Sequence, residues 1–363
     1  MNSFGRLFRV HIFGESHGES VGINIDGCPA GLPLALEDFL PDLERRKGGV
    51  QKGTTPRKED DLPIFRSGLF QQTTTGAPIT ILFENNNTRS ADYEKQRAIP
   101  RPGHADFVAH QKFGGFEDYR GGGSFSARLT VGLVAAGVIA KKLMRGVSRA
   151  SPAASLRRPK GTGDGAGAEE GIRVTADILE IGGETDLEKG LQRAIDAKDS
   201  IGGIVECRVS GLPVGLGEPF FDSVESLLAH AAFAIPAVRG VEFGTGFAAA
   251  RMFGSEHNDA IEEMSGRTRT NHAGGVVGGI TNGNELVFRI AIKPTSSTPK
   301  EQLTLNWETE QMDKLTVKGR HDLCVALRAP VILEAVTAIV LADLLLLEQH
   351  IPRIWAGAAP DMP

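Results

Sequence analysis

Three histidines far apart in the chain lie in stretches that glycine or proline keeps out of regular structure. They are His17 in Gly14-Glu15-Ser16-His17-Gly18, His104 in Arg101-Pro102-Gly103-His104-Ala105-Asp106, and His321 in Lys318-Gly319-Arg320-His321-Asp322. Imidazole titrates near neutrality, and titratable side chains carried on turns of a rigid scaffold are a common way to build an active site. Proton transfer is the chemistry such residues offer. Two other readings are weaker. A zinc site would need three or four converging ligands, and none of these histidines forms a helical His-x-x-x-His pair. The neighbours Ser16 and His17 cannot face each other as nucleophile and base, and no Gly-x-Ser-x-Gly elbow surrounds them.

Anion-binding signals accompany the histidines. Ser126 follows Gly121-Gly122-Gly123 and precedes a helical run, so it is placed to cap a helix whose free N–H groups attract negative charge. Lys293-Pro294-Thr295-Ser296-Ser297 follows a strand and combines an ammonium with hydroxyl donors, which suits a phosphate or a ribityl chain. Asn271-His272-Ala273-Gly274-Gly275 and Gly278-Gly279 allow close backbone approach to something flat, although glycine pairs more often serve turns. No Walker-type loop and no Gly-x-Gly-x-x-Gly run after a strand is present, which argues against the standard nucleotide folds.

The bulk composition narrows the class. With 363 residues, 40% hydrophobic and 23% charged, the chain can bury a full core and reads as an ordinary globular protein. Aromatic content of 6% and a net charge of −5 argue against nucleic acid as a partner. Against that acidic background, Pro41 to Lys58 carries six basic residues and two acidic ones. Such a run is either a solvated loop or a positive rim that attracts a small polyanion. Cys28, Cys207 and Cys324 form no Cys-x-x-Cys pair and no targeting peptide is apparent, so a reducing, cytoplasmic setting is expected. Val331 to Leu347 is the most apolar stretch. Because it contains Glu334 and Asp343, it is expected to be a buried amphipathic helix and not a membrane span.

Elements must then position these turns. Alternation predicts strands over Leu7–Phe13, Val21–Ile25, Pro78–Phe83, Ile172–Leu179, Ile204–Val209 and Leu286–Ile292, with Gly14–Ser20 as a hairpin loop and His17 near its tip. Helical spacing predicts Leu36–Lys47, Ser126–Met144, Leu187–Lys198, Ser223–Phe233 and Ala329–Glu348. Paired strands with helices between the pairs favour an α+β architecture with antiparallel sheets. Ser148 to Gly171, rich in Ala, Gly, Pro and Arg, is expected to be a flexible surface loop within a single domain spanning 1–363.

Together these segments resemble the chorismate synthase family over nearly the whole chain. The resemblance rests on seven motifs in matching order and spacing. Five are Phe13-Gly14-Glu15-Ser16-His17-Gly18, Arg101 to Asp106, Asn271 to Gly275, Lys293 to Ser297 and Lys318 to Asp322. The other two are Asp118-Tyr119-Arg120-Gly121-Gly122-Gly123 and Ser126-Ala127-Arg128. The resemblance implies a β-α-β sandwich with antiparallel sheets in the core and helices on the outside, assembled as a homotetramer. It implies a lyase of the shikimate pathway that eliminates phosphate 1,4-anti from 5-enolpyruvylshikimate 3-phosphate. Reduced FMN is the implied cofactor although no net redox change occurs, NADPH is a candidate reductant, and no metal or membrane is involved.

The resemblance also implies roles. His17 would protonate the departing phosphate, His104 would sit by flavin N1, and Asp322 would assist removal of the C6 proton by flavin N5. Ser16 and Ser126 would join their hydrogen-bond network. Ser124, Phe125, Ser126, Pro236, Ala237, Gly278, Lys293, Pro294, Thr295, Ser296, Ser297 and Arg320 fall where the family holds the flavin. Arg46, Lys52 and Arg128 fall where it meets anions at the cavity mouth. The chain departs from the pattern with Ser124-Phe125 in place of a frequent Arg-Ser, Leu323 in place of Pro, Pro236 in place of Asn, and Lys52 in place of Arg.

Overall fold

The computed structural model describes residues 2–49, 52–57, 59–88, 97–147, 171–317 and 321–355. Most of the expected loop at 148–171 therefore lies outside the described residues, as does Arg320. One sheet contains β1 (Ser3–Phe4), β2 (Arg9–Gly14), β3 (Ser20–Asp26), β4 (Ile64–Ser67) and β5 (Ile79–Glu84), in the order β1-β2-β3-β5-β4. The other contains β6 (Arg173–Ile181), β7 (Gly203–Ser210), β8 (Val238–Phe243) and β9 (Leu286–Ile292), in the order β8-β9-β7-β6. Every pairing in both sheets is antiparallel. The α+β class with antiparallel sheets is thus the observed one.

Alternation explains the inner faces. Val21, Ile23 and Ile25 of β3 and Ile79, Ile81 and Phe83 of β5 are buried on one sheet. Val205, Cys207 and Val209 of β7 and Phe288 and Ile290 of β9 are buried on the other. Each fully buried aliphatic side chain contributes roughly 1.5–3 kcal/mol. Between the sheets run two helices, α3 (Thr130–Met144) and α6 (Ala329–Leu347). They pack on each other, α3 also on β3 and β5, and α6 on β6 and β7. The short α1 (Leu40–Arg46) leans on both.

This corrects the expected order of layers. The long helices are the middle of the sandwich and the sheets lie outside them. The reason is that neither helix has a wet side: α6 is buried from Val331 to Leu346 without a break. Close approach is built into α3, where a methyl at Gly137 would come within 2.4 Å of the Ala335 Cβ and one at Gly132 within 3.1 Å of Ile23. By length and composition α6 could cross a membrane, but here it is enclosed by protein. Nor is it amphipathic. Glu334 and Asp343, which look like a polar face in the sequence, are both buried and both bonded.

Boundaries moved where local chemistry broke a pattern. The expected helix at Leu36–Lys47 is a helical turn at Leu36–Asp38 followed by α1, with Pro41 at the start of the latter. Several elements were not expected, β1 and β4 among them. The helix α2 (Asp106–Phe113) begins two residues after His104, and the unexpected β8 joins the edge of its sheet beside β9.

Candidate active site

The β2–β3 hairpin pairs Gly14 with Val21 and presents Glu15 to Glu19 beyond the sheet. Gly14 has φ 101°, a left-handed conformation, and a Cβ there would strike the Ser20 carbonyl at 2.5 Å. His17 lies in this loop but is not exposed at its tip. It is 8% accessible, and Ser16 behind it is fully buried. Contrary to the expectation for adjacent residues, the two side chains meet: the Ser16 hydroxyl lies 3.0 Å from His17 Nδ1, and 3.3 Å from the carbonyl oxygens of Arg120 and Gly121. A hydroxyl that donates to a carbonyl is left to accept from Nδ1–H, which makes Nε2 the second, acceptor nitrogen of the neutral ring. Burial, reinforced by the Arg57 charge, holds the His17 pKa below its ordinary 6.5.

The wall between the first two histidines is made of glycine. Gly121, Gly122 and Gly123 all have positive φ. A Cβ at Gly121 would lie 2.2 Å from the His17 ring, and one at Gly122 would lie 3.0 Å from the His104 ring. No other residue leaves room for both imidazoles. His104 Nδ1 lies 2.5 Å from Asp106 Oδ1, and Asp106 also accepts from Arg101 Nε at 2.7 Å and Nη2 at 2.8 Å. Burial alone would raise the Asp106 pKa, but Arg101 and His104 outweigh it and hold the carboxyl far below its usual range. Its carboxylate therefore keeps the proton on Nδ1 and fixes the ring.

Asp322 comes from the third histidine motif. Its Oδ1 accepts from the Thr55 backbone N–H at 2.8 Å, and its Oδ2 accepts from Arg328 Nη1 at 3.0 Å. A carboxylate held by a backbone amide on one oxygen and a guanidinium on the other is fixed in orientation.

These groups share one cavity of about 360 Å³. His17, His104, His321 and Asp322 all line it, with Arg46, Arg57, Asp61, Arg101, Arg128 and Arg328 around them. On one side Ser126 caps the turn leading into α3, its hydroxyl accepting from the Arg128 N–H. On the other, Lys293 donates to the Gly103 carbonyl at 2.6 Å and lies 2.9 Å from the Ser296 hydroxyl. Burial and the nearby Arg239 charge lower the Lys293 pKa. Arg101 Nη1 reaches Ser297 at 3.1 Å and so ties the His104 motif to the Lys293 motif.

Of the residues named from the sequence, Arg46, Phe125, Ser126, Arg128, Pro236, Ala237, Lys293, Thr295, Ser296 and Ser297 also line this cavity. Ser16 is buried behind His17. Ser124 lines an adjoining cavity of about 790 Å³ that shares Phe125 and His104 with the first. Pro294 and Gly278 line neither, Gly278 being in the turn between the two-residue strands Val276–Val277 and Ile280–Thr281. Lys52 is exposed, donates to Gln192 Oε1 at 3.2 Å and lines neither cavity. Sequence reasoning gave no role to Asp61, Arg101 or Arg328, and Arg57 entered only as one member of the basic run from Pro41 to Lys58. Their signal was slight: three acids, Glu59-Asp60-Asp61, directly after the basic run, and an arginine just before the last helix.

Comparison with known proteins bears on this arrangement. Residues 8–346 match the family model described as Chorismate synthase. A chorismate synthase of Chitinophaga pinensis is 67% identical over 355 residues, covering 98% of this chain and 99% of that protein. One from Dehalococcoides mccartyi is 45% identical, covering 97% and 99% respectively. A solved structure titled "Crystal Structure of Chorismate Synthase" superposes with a TM-score of 0.66 at 25% identity, covering 94% of this chain and 93% of that one.

Proposed function

The chain belongs to the chorismate synthase family and is a carbon–oxygen lyase that eliminates phosphate from 5-enolpyruvylshikimate 3-phosphate, and we propose that it does so in the cavity holding His17, His104 and Asp322. The observation that carries this reading is the convergence of two imidazoles and a carboxylate, from three separate turns, on a wall of arginines. The substrate bears two carboxylates and a phosphate, so it is drawn to guanidinium groups. His17 gives a proton to the departing phosphate, a general-acid task. Asp322, oriented by Thr55 and Arg328, assists removal of the C6 proton. Ser16 and Ser126 hold the imidazole and the start of α3 in place.

The residues present also fit reduced FMN. Among the described residues, the Lys293 ammonium is bonded to neutral acceptors, Gly103 O and Ser296 Oγ, which leaves its charge for an anion. Thr295 and Ser297 add hydroxyls beside it, and Phe125 and Ala237 add apolar wall. Reduced flavin supplies a reversible electron that helps break the carbon–oxygen bond. His104, its Nδ1 committed to Asp106, is the residue to hold a proton beside the ring. We assign NADPH the role of candidate reductant, the cytoplasm as the location and a homotetramer as the assembly.

The test is an anaerobic assay of phosphate release with chemically reduced FMN, with and without NADPH. Wild-type chain should release phosphate with reduced FMN alone. His17→Ala and Asp322→Ala should each lose at least about 100-fold in kcat, the usual scale of general acid–base catalysis. Wild-type turnover in both variants would refute the assigned roles.

A further inference from the structure

Four guanidinium–carboxylate units surround the cavity, and three of them balance. Arg57 meets Glu59, Arg101 meets Asp106, and Arg328 meets Asp322. The fourth does not. Arg46 and Arg128 share the single carboxylate of Asp61, Arg46 Nη2 reaching Oδ2 at 2.9 Å and Arg128 Nη1 reaching Oδ1 in a short contact. All three side chains are buried, at 3%, 4% and 1% exposure. All three line the cavity.

Three of the remaining donors of the pair are anchored to the frame, while Arg46 Nε is buried without a hydrogen-bond partner among the described residues. Arg46 Nη1 donates to Thr130 Oγ1 at 3.2 Å, while Arg128 Nε donates to Asn85 Oδ1 at 2.9 Å and Nη2 to the Glu84 carbonyl at 3.0 Å. Asp61 itself has φ 51°, a left-handed backbone that costs a non-glycine residue and persists where surrounding structure over-determines it. Strain of this kind in a residue buried at an active-site wall points to a positional duty.

We propose, on the functional reading above, that Asp61 is a positioning residue for the elimination. Its carboxylate fixes the spacing of the Arg46 and Arg128 guanidinium groups and cancels one of their two charges. The wall then offers the anionic substrate one unbalanced positive charge at a fixed place. Without Asp61 the two cations repel, lose their common reference and bind anions more tightly but less usefully.

The experiment uses Asp61→Asn, nearly isosteric and uncharged, with FMN saturating. It reads kcat, the inhibition constant of inorganic phosphate against substrate, and the melting temperature. The expected result is a fall in kcat of at least tenfold together with phosphate binding about fivefold tighter, the effect of one extra charge at contact distance in a wet site. A merely structural role would lower the melting temperature and the active fraction while leaving phosphate affinity alone, and that result overturns the proposal. So does an unchanged kcat. If Asp61→Asn does not fold, the double variant Asp61→Asn/Arg128→Gln restores one unbalanced charge. It should return phosphate affinity to within about twofold of wild type while kcat stays at least tenfold low, because the charge is restored but not its position. Wild-type kcat in that double variant also overturns the proposal. Phosphate affinity can be read by calorimetry without turnover. A wild-type chain inactive in the assay would therefore count against the function, and the affinity change would still decide the role of Asp61.

Discussion

His17 combines a turn position with burial, and its protonation follows from the second. As a lowered-pKa group, its imidazolium form disappears below pH 6.5 as pH rises. A general acid must be protonated, so kcat/KM should fall on the alkaline side with an apparent pKa under 6.5 in the free enzyme. Arg57 is the largest charge contribution lowering that value, after burial. Arg57→Gln should therefore move the alkaline limb of kcat/KM to higher pH, read from the anaerobic assay across pH 5 to 8. A limb that stays in place would mean that His17 is not the acid reporting there. Stability follows the opposite sign. The folded chain binds this proton less readily than the unfolded chain, so the contribution is present above pH 6.5 and is lost as pH falls toward the lowered value. The chemistry at this scale was legible because Gly-rich turns around histidine are visible in any sequence. The partners were not. Arg128 and Asp61 are 67 positions apart, and nothing local in either says that they meet.

Helix α6 shows what an element adds. Its two acids each serve a distant segment. Glu334 accepts from Arg45, Lys141 and the Ala176 N–H, binding α1, α3 and β6 to the central layer. Asp343 accepts from the backbone N–H groups of Arg6, Leu7 and Phe8, and so holds the approach to β2. Asp343→Asn would turn one acceptor oxygen into a donor facing those N–H groups. It should cost about 2–3 kcal/mol of unfolding free energy by urea denaturation, with kcat nearly unchanged. A cost under 0.5 kcal/mol would show that water replaces the carboxylate. Periodicity found this helix within a residue at its end, and it found β9 with the observed bounds. It could not say that the helix is enclosed on every side, because two acids in an apolar run look the same whether they face water or three buried amides. It missed α2, whose only buried residue is Ala109, since a helix without an apolar stripe has no period to detect. It missed β8, where the register shifts between Val238 and Gly240 and the alternation breaks.

At the scale of the molecule, the sandwich closes its core and leaves a different kind of surface uncovered. Phe221 is 92% exposed, Phe220 85%, Phe247 80% and Phe253 77%, all on the stretch around β8 that follows β7. Isolated exposed aromatics are ordinary, but several of this size within one stretch of sequence are candidates for the contacts of the proposed assembly. The net charge of −5 is small enough not to prevent self-association. The homotetramer proposed above would give these side chains a partner of the same sequence, since symmetric self-contact lets one surface serve twice. Light scattering should accordingly give wild type a mass of four times 38.7 kDa. Phe221→Asp or Phe253→Asp should lower that mass, since a buried unpaired carboxylate opposes association strongly. The melting temperature of the isolated fold should change little, because neither ring belongs to the described core. A variant that keeps the full mass would place its ring outside the contact, and both keeping it would remove this surface as the interface.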